Sequence, residues 1–101
     1  MASMHKIGTH KTSVFEDNGV TFVVYHSTAV VKFDGSVITL NTGGWQSVTT
    51  KARMNQASNE YCLGFSVRQK NHQWLISFGG VEVPYEGRQV LLDRRTKQIL
   101  Q

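Results

Sequence analysis

Most of this chain consists of short runs of apolar, β-branched and aromatic residues that are separated by turn dipeptides, which is the pattern of β-strands joined by tight turns. In the segment "TSVFEDNGVTFVVY", two runs of β-branched and aromatic residues flank Asn18-Gly19, a dipeptide that favours a tight hairpin turn. A two-residue loop there places Phe15 opposite Phe22. The next pair, on the other face, is Val14 with Val23. Because both faces of this hairpin are apolar, we expect it to lie in the centre of the sheet or to be covered.

A second hairpin is predicted in "TAVVKFDGSVITL", where Asp34-Gly35 separates two strand-like runs. A two-residue loop places Val31 opposite Ile38, while Lys32 falls on the reverse, more polar face. This alternation is typical of strands that have one face on the core and the other towards water.

A third hairpin and a last strand complete the predicted β-structure. The segment "LGFSVRQKNHQWLISF" turns at Asn71-His72, which pairs Val67 with Ile76. After a loop around Pro84, "RQVLLD" supplies a short last strand. Residues 94–101 are predicted to form a basic tail that frays at its end.

One polar stretch departs from this strand pattern, "TLNTGGWQSVTTKARMNQASNEY", residues 39–61. It predicts a helix over residues 50–60, with Ser47, Thr49 or Thr50 as the N-cap and Gly64 just beyond its end. A strand remains an alternative for this stretch. The helical interpretation rests on one apolar stripe at helical spacing. The stripe consists of Thr50, Met54, Ala57 and Tyr61.

Six or seven short antiparallel strands with one inserted helix predict an α+β fold. The chain has 101 residues, which is the size of one domain, and we assign that domain to residues 12–93. Residues 1–11 are predicted to be a flexible leader. We expect the sheet to curl towards a small barrel, because closure removes exposed strand edges.

The polar stretch also suggests an anion-binding site. A helix N-terminus has unpaired N–H groups and a partial positive charge, so acids normally occupy its first turn. This sequence instead places Lys51 and Arg53 there, after a glycine pair that permits close approach of a ligand. Phosphate and the carboxylate of a partner protein both fit such a site. The residues of the predicted anion site are Gly43, Gly44, Trp45, Lys51, Arg53, Asn55 and Gln56.

Simpler interpretations of the same residues remain open. The glycine pair can be only a turn, and Trp45 can be only part of the core. Lys51 and Arg53 can belong to a solvated helix face. In the strand alternative, both cations lie on one face together with Asn55.

Composition and charge limit the classes of function. Charged residues make up 18% of the chain and its formal charge is +4, which favours anionic partners. Apolar runs are too short to span a bilayer, and the first residues lack the apolar region of a signal peptide. The lone Cys62 fits a reducing cytoplasm and is expected to be a buried, inert thiol.

Catalytic and metal-binding patterns are missing from the sequence. The four histidines are scattered, and no pair of acids stands out as catalytic. Neither a phosphate-binding loop of the G-x-x-x-x-G-K-[ST] type nor a G-x-S-x-G motif occurs. We therefore expect a protein that is not an enzyme and that has no cofactor and no metal.

The segment "VVYHSTAVVKFDGSVITLNTGGWQSVTTKARMNQASNEYCLGFSV" resembles a group of small bacteriophage proteins of about this length. The shared features are a Tyr-His at a strand end, "VKF" before a turn, "LNTGGW" and "TTKxRMNQ", over roughly residues 14–78. The resemblance implies a phage accessory protein in the cytoplasm of an infected bacterium. It transfers no activity and no catalytic residue.

These observations lead to one leading hypothesis and two alternatives. The leading hypothesis is a non-enzymatic phage accessory protein that binds a phosphate-bearing ligand, either nucleic acid or a nucleotide, in the host cytoplasm. The alternatives are a small inhibitor or adaptor that binds a host protein, and a minor structural protein of the virion. Membrane contact is not expected. Exposed strand edges are compatible with a homodimer, and no residue is indicated for its interface.

Overall fold

The computed structural model describes residues 11–44 and 46–100. Within these residues there are nine strands and one helix. The strands and the helix are β1 (Thr12–Asp17), β2 (Val20–Tyr25), β3 (Thr28–Phe33), β4 (Val37–Leu40), α1 (Val48–Glu60), β5 (Ser66–Lys70), β6 (Gln73–Phe78), β7 (Val81–Pro84), β8 (Val90–Asp93) and β9 (Gln98–Leu100).

The strands form two antiparallel sheets, so the predicted α+β class is confirmed. The first sheet has six strands in the order β1-β2-β3-β4-β8-β9, and the second has three in the order β5-β6-β7. The strand number is higher than the predicted six or seven, and there are two sheets rather than one. Across the described strands the larger sheet ends at β1 and β9, so it is open where a barrel would be closed.

The first and third hairpins have the predicted registers. Phe15 pairs with Phe22 around Asn18-Gly19, whose φ values of 53° and 80° both lie in the left-handed region. Val67 pairs with Ile76 around a turn in which Asn71 and His72 also have positive φ. These turns twist in the same sense as the strands that they connect, which explains why such short loops suffice.

The predicted register of the second hairpin is wrong by two residues. Val31 pairs with Leu40 instead of Ile38, and Phe33 is the residue opposite Ile38. The reason is a longer loop, in which Asp34 Oδ1 accepts hydrogen bonds from the backbone N–H groups of Ser36 and Val37, at 2.7 and 2.9 Å. A shift of two residues leaves every side chain on its predicted face.

The segment predicted as a basic tail instead contributes a strand. Gln98–Leu100 form β9, which pairs with β8 through Leu92 and Ile99. The connecting turn is held by Asp93 Oδ1, which accepts hydrogen bonds from the N–H groups of Arg95 and Thr96. The described part of the segment therefore extends the sheet.

The core lies between the inner face of the six-stranded sheet, the helix and the three-stranded sheet. One apolar side of α1 packs on β5, β3 and β2. The helix therefore joins the two sheets. The buried residues of the core are Val23, Val30, Val31, Phe33, Ile38, Leu40, Met54, Ala57, Leu63, Phe65, Val67, Trp74, Ile76, Phe78, Tyr85, Val90 and Leu92.

The opposite side of the six-stranded sheet, which we call the outer face, has no cover from the described residues. β1 lies at the edge of the sheet rather than in its centre, and Phe15 keeps 49% of its surface exposed. The expectation that the first hairpin is central or covered is therefore wrong for the single chain. The apolar character of its second face has no counterpart inside this fold.

Candidate functional site

The helix of the predicted anion site begins earlier than expected. Ser47, one of the three predicted N-caps, has an extended backbone, and its Oγ accepts a hydrogen bond from the Thr50 N–H at 3.1 Å. The first helical residue is Val48. The N–H of Lys51 already donates to the Ser47 carbonyl, at 3.1 Å. Lys51 and Arg53 therefore lie beyond the first three N–H groups, and their placement in the first turn is wrong.

Arg53 is a structural cation. Only 8% of its surface is exposed, and its Nε donates to Thr12 Oγ1 at 2.8 Å. One terminal nitrogen donates to Gln56 Oε1 at 3.3 Å, and the guanidinium lies 5.7 Å from the centre of the Tyr25 ring. These contacts connect α1 to β1 and β2. They direct both Arg53 and Gln56 to the interior of the fold.

Asn55 also makes an internal connection. Its Nδ2 donates to the Val67 carbonyl, and its Oδ1 accepts from the Val67 N–H, both at 2.8 Å. The side-chain amide thus pairs with β5 as a neighbouring strand would. The strand alternative for this stretch is wrong, because residues 48–60 are helical.

The glycine pair forms a turn that contacts other parts of the chain. The N–H of Gly43 donates to Asn41 Oδ1 at 2.8 Å, and that of Gly44 donates to Thr42 Oγ1 at 3.2 Å. A Cβ atom on Gly43 would clash with the Thr28 side chain, so the close approach that this glycine permits is to β3. Trp45, which follows the glycine pair and was also predicted to belong to the anion site, lies outside the described residues.

The predicted anion site is therefore not assembled as one surface. Lys51 extends over the Trp74 ring, with its Nζ 5.9 Å from the ring centre. Arg53, Asn55 and Gln56 make the internal contacts described above. Gly43 and Gly44 instead line a cleft of about 350 Å³ together with the exposed Arg88.

Arg88 enters this cleft because two distant loops are joined. The Thr42 N–H and Oγ1 both donate to the Gly87 carbonyl, at 3.0 and 2.7 Å. Glu86 also lines the cleft, and its carboxylate lies 3.9 Å from Arg88 Nε. The contact joins residues 45 positions apart, and no local pattern in the sequence indicates it.

The outer face has a continuous row of side chains across all six strands. Each member is paired with the next in the register of the sheet. We call this set the outer row. It consists of Phe15, Phe22, Lys32, Thr39, Leu91 and Leu100.

Most of the outer row is apolar and accessible. The Phe15 and Phe22 rings stack with their centres 5.0 Å apart. At the opposite edge, Leu100 is 38% exposed. Between them, a shallow depression of about 300 Å³ is lined by Phe22, Lys32 and Thr39 among others. The sequence contained the signal for this surface in the apolar second face of the first hairpin.

Carboxylates lie beside the outer row. Asp17 pairs with Val20 at one end of the sheet, and Asp93 pairs with Val37 nearer the other end. Hydrogen bonds from the Thr96 and Arg95 N–H groups lower the pKa of Asp93. The carboxylate is therefore ionised at neutral pH, which makes this rim of the outer face unfavourable for a polyanion.

Cys62 is exposed rather than buried, so that expectation is wrong. It follows the helix with a φ of 55°, and the next residue, Leu63, donates its N–H to the Ser58 carbonyl at 2.9 Å. This is a Schellman end, in which glycine usually occupies the position of Cys62.

Two further kinds of feature, a membrane-spanning helix and a metal-binding cluster, are absent from the described residues. No helix within residues 11–44 and 46–100 is long and apolar enough to cross a membrane. The same residues contain no group of three or more His, Cys, Asp or Glu side chains that is arranged to hold a metal ion.

Comparison with known proteins identifies a phage family. The model of a family described as Kyanoviridae Gp96 protein matches residues 1–91. This range is wider than residues 14–78, and the match does not single out the "LNTGGW" segment. No curated protein and no solved structure matches the chain.

Proposed function

The chain belongs to the Kyanoviridae Gp96 protein family, and from this premise we propose that it is a non-enzymatic phage accessory protein that binds another protein through its outer face. It would act in the cytoplasm of the infected host. The observation that carries the proposal is the outer row, which has an apolar pair on β1 and β2 and another on β8 and β9, with Lys32 and the buried Thr39 between them.

The chemistry of the outer row favours a protein partner. Apolar side chains that are contiguous on a surface mark sites of association, whereas isolated ones are common on any protein. Phe15 and Phe22 form one such contiguous pair, and Leu91 with Leu100 forms another. Aromatic side chains contribute large contact areas to protein interfaces.

A phosphate-bearing ligand fits this face poorly. Lys32 is the only cation in the outer row, and the neighbouring row of side chains contains Asp17 and Asp93. In the originally predicted anion site, Arg53 is buried and already makes hydrogen bonds. Both surfaces therefore favour a partner with apolar side chains over one with a dense negative charge.

The cleft between the two joined loops supports a second candidate, a phosphate-bearing ligand such as a nucleotide or nucleic acid. Arg88 is exposed beside Gly43 and Gly44, and its weak ion pair with Glu86 leaves the guanidinium able to bind an anion. Arg88→Glu should then abolish binding of a fluorescent oligonucleotide or nucleotide at low salt. Unchanged binding by this variant would exclude the cleft.

The main proposal is tested by capture of a tagged copy from infected host cells that also contain an untagged copy. Nuclease is added, and the bound proteins are identified by mass spectrometry. Phe15→Lys with Leu100→Lys introduces two charges into the outer row at exposed positions. Val48→Lys with Val81→Lys is the matched control, because these side chains are 75% and 54% exposed on α1 and β7.

At least one captured protein, the untagged copy included, should be lost with the outer-row variant and retained with the control. A drop of about tenfold corresponds to about 1.4 kcal/mol of binding free energy. Equal recovery of every captured protein by all three forms would contradict the proposal.

A further inference from the structure

We propose that the partner on the outer face is a second copy of this chain, so that the protein is a face-to-face homodimer. The inference rests on the proposed function, because it names the partner of the same surface. Its main support is the order of side chains in the outer row, which complements itself.

A two-fold axis that runs parallel to the strands, between β3 and β4, reverses the order of the strands in the second copy. Each row of side chains then faces the corresponding row of the second copy. β1 then lies over β9 of the second copy, β2 over β8, and β3 over β4. Such an isologous contact requires that residue i meets residue j while j meets i.

This arrangement matches the chemistry of each pair in the outer row. Phe15 meets Leu100 of the second copy, and Phe22 meets Leu91, so aromatic rings pack on aliphatic side chains. Lys32 comes over Thr39 of the second copy, whose side chain is only 7% exposed, and the two Lys32 side chains lie on either side of the axis. Every apolar member of the row gains an apolar partner.

The neighbouring row is also compatible with this axis. Asp17 comes opposite Gln98 of the second copy, and Asp93 comes opposite Val20. No carboxylate of this row faces the same carboxylate of the other chain. Like charges across an interface oppose association. A two-fold axis along this row would instead bring each carboxylate opposite its own copy, so the axis parallel to the strands is favoured.

The area of the outer face is sufficient for a weak dimer. Only two rows of outward side chains reach across β4, β8 and β9, because these strands have three or four residues each. A third row, Ser13, Val24 and Ala29, is confined to β1, β2 and β3 and has no strand row opposite it in this arrangement. Six strands about 4.8 Å apart and two rows about 6.8 Å apart cover roughly 29 by 14 Å, or about 400 Å² per copy. Two copies bury about 800 Å², which is below the standard size of specific interfaces and typical of weak, transient ones.

The first experiment measures the molecular mass of the purified full chain by sedimentation velocity over roughly 1–100 µM, a concentration range suited to a weak interface. The wild type and the Val48→Lys/Val81→Lys control should be dimers at the upper end. Phe15→Lys/Leu100→Lys should be a folded monomer, with a circular dichroism spectrum and melting temperature close to those of the wild type. A monomeric wild type, or an outer-row variant that still dimerises, would overturn the inference.

The second experiment tests the position of the axis, and Cys62→Ser provides its background. Packed sheets lie about 10 Å apart, beyond the reach of a disulfide, so a bismaleimide of about that span is used. Mixed chains with Phe15→Cys and Leu100→Cys should crosslink to each other. Neither variant should crosslink efficiently to itself, and crosslinking of Phe15→Cys to Val81→Cys chains should be equally poor. If two Phe15→Cys chains crosslink to each other more efficiently than to Leu100→Cys chains, this two-fold arrangement is wrong.

The failure of this inference can be distinguished from failure of the proposed function. If the wild type is monomeric but the outer-row variant loses a host or phage protein in the capture experiment, the face is an interface with another partner. If neither dimerisation nor capture depends on the outer row, both proposals are wrong.

Discussion

At the scale of single residues, Arg53 shows how a cation that is read as part of a binding surface can instead stabilise the fold. Its guanidinium donates hydrogen bonds in two directions and stacks on Tyr25. A planar group with several donors is suited to this geometry, whereas an ammonium group is not. The partner Thr12 lies 41 positions away, so the local sequence gives no sign of the contact.

We predict that Arg53→Ala lowers the free energy of unfolding by about 1.5–3 kcal/mol, because hydrogen bonds from a charged and largely buried group are lost. Arg53→Lys should recover little of this loss. Lys51→Ala is the control. It removes a single cation–π contact with Trp74 and should cost about 0.5–1 kcal/mol at most. Urea denaturation measures the free energy of unfolding of all three variants. If Arg53→Ala loses no more stability than Lys51→Ala, the structural role of Arg53 is contradicted.

At the scale of secondary structure elements, the side chain of Asn55 protects an edge. β5 ends the three-stranded sheet, and an unpaired strand edge invites association with other chains. The Asn55 amide occupies the backbone N–H and carbonyl of Val67 on that edge. One helical side chain thus fixes the position of α1 on the small sheet.

We predict that Asn55→Asp destabilises the protein by about 1–3 kcal/mol, because a carboxylate cannot donate to the Val67 carbonyl and leaves that buried acceptor without its partner. The matched control is Asn59→Asp, which adds the same charge at an exposed position one turn later. Urea denaturation gives the stability, and hydrogen exchange of the Val67 amide reports the local contact. Equal effects of the two substitutions, with Val67 still protected, would refute the proposed edge contact.

The elements also show which parts of the fold the sequence was able to predict. The turns at Asn18-Gly19 and Asn71-His72 were predictable because positive φ at both positions is a local property. The turn after Phe33 was not, because the Asp34 carboxylate selects a longer loop and Gly35 does not have positive φ. β9 was missed for a similar reason. The strand has only three residues, Gln98–Leu100, after a basic segment, which is too short to show a periodic pattern, and the Asp93 carboxylate creates the turn before it.

The candidate site was less predictable than the fold. Helical spacing correctly identified the buried stripe of α1, which includes Met54 and Ala57. It did not reveal that Arg53 belongs with that stripe. The outer row was implied by the apolar faces of the first hairpin, but its length depends on which strands become neighbours. The pairing of β4 with β8 joins residues about 50 positions apart, and hydrophobic periodicity carries no information about it.

At the scale of the whole molecule, the proposed dimer would resolve the one large conflict between sequence pattern and fold. The first hairpin has apolar residues on both faces, while the single chain covers only one of them. A second copy would cover the other, and each chain of the dimer would carry its own loop cleft with Arg88. Such a dimer would then present two copies of that cleft, which increases the avidity for any extended anion that reaches both.

The response of the whole molecule to acid provides a last prediction. Hydrogen bonds from the Ser36 and Val37 N–H groups lower the pKa of Asp34, and those from Thr96 and Arg95 lower that of Asp93. The hydrogen bond and ion pair with Arg68, at 2.6 Å, lower the pKa of Glu82. All three carboxylates therefore bind protons more weakly in the folded protein than in the unfolded chain. Their stabilisation is fully present above the ordinary pKa values, 3.8 for Asp and 4.5 for Glu.

The contribution of these groups to the free energy of unfolding should consequently stay constant between neutral pH and about pH 5, and should fall as the pH drops below about 4.5. A variant with Asp34→Asn, Asp93→Asn and Glu82→Gln should be less stable than the wild type at neutral pH, and the difference should shrink as the pH approaches 3.

The control Glu16→Gln with Asp17→Asn leaves all three contacts intact and should retain the decline in stability that the wild type shows at low pH. Urea denaturation is followed at one fixed, dilute concentration, because dimerisation would make the stability depend on concentration. A difference between triple variant and wild type that stays constant from pH 7 to pH 3 would show that these three contacts do not cause the acid sensitivity.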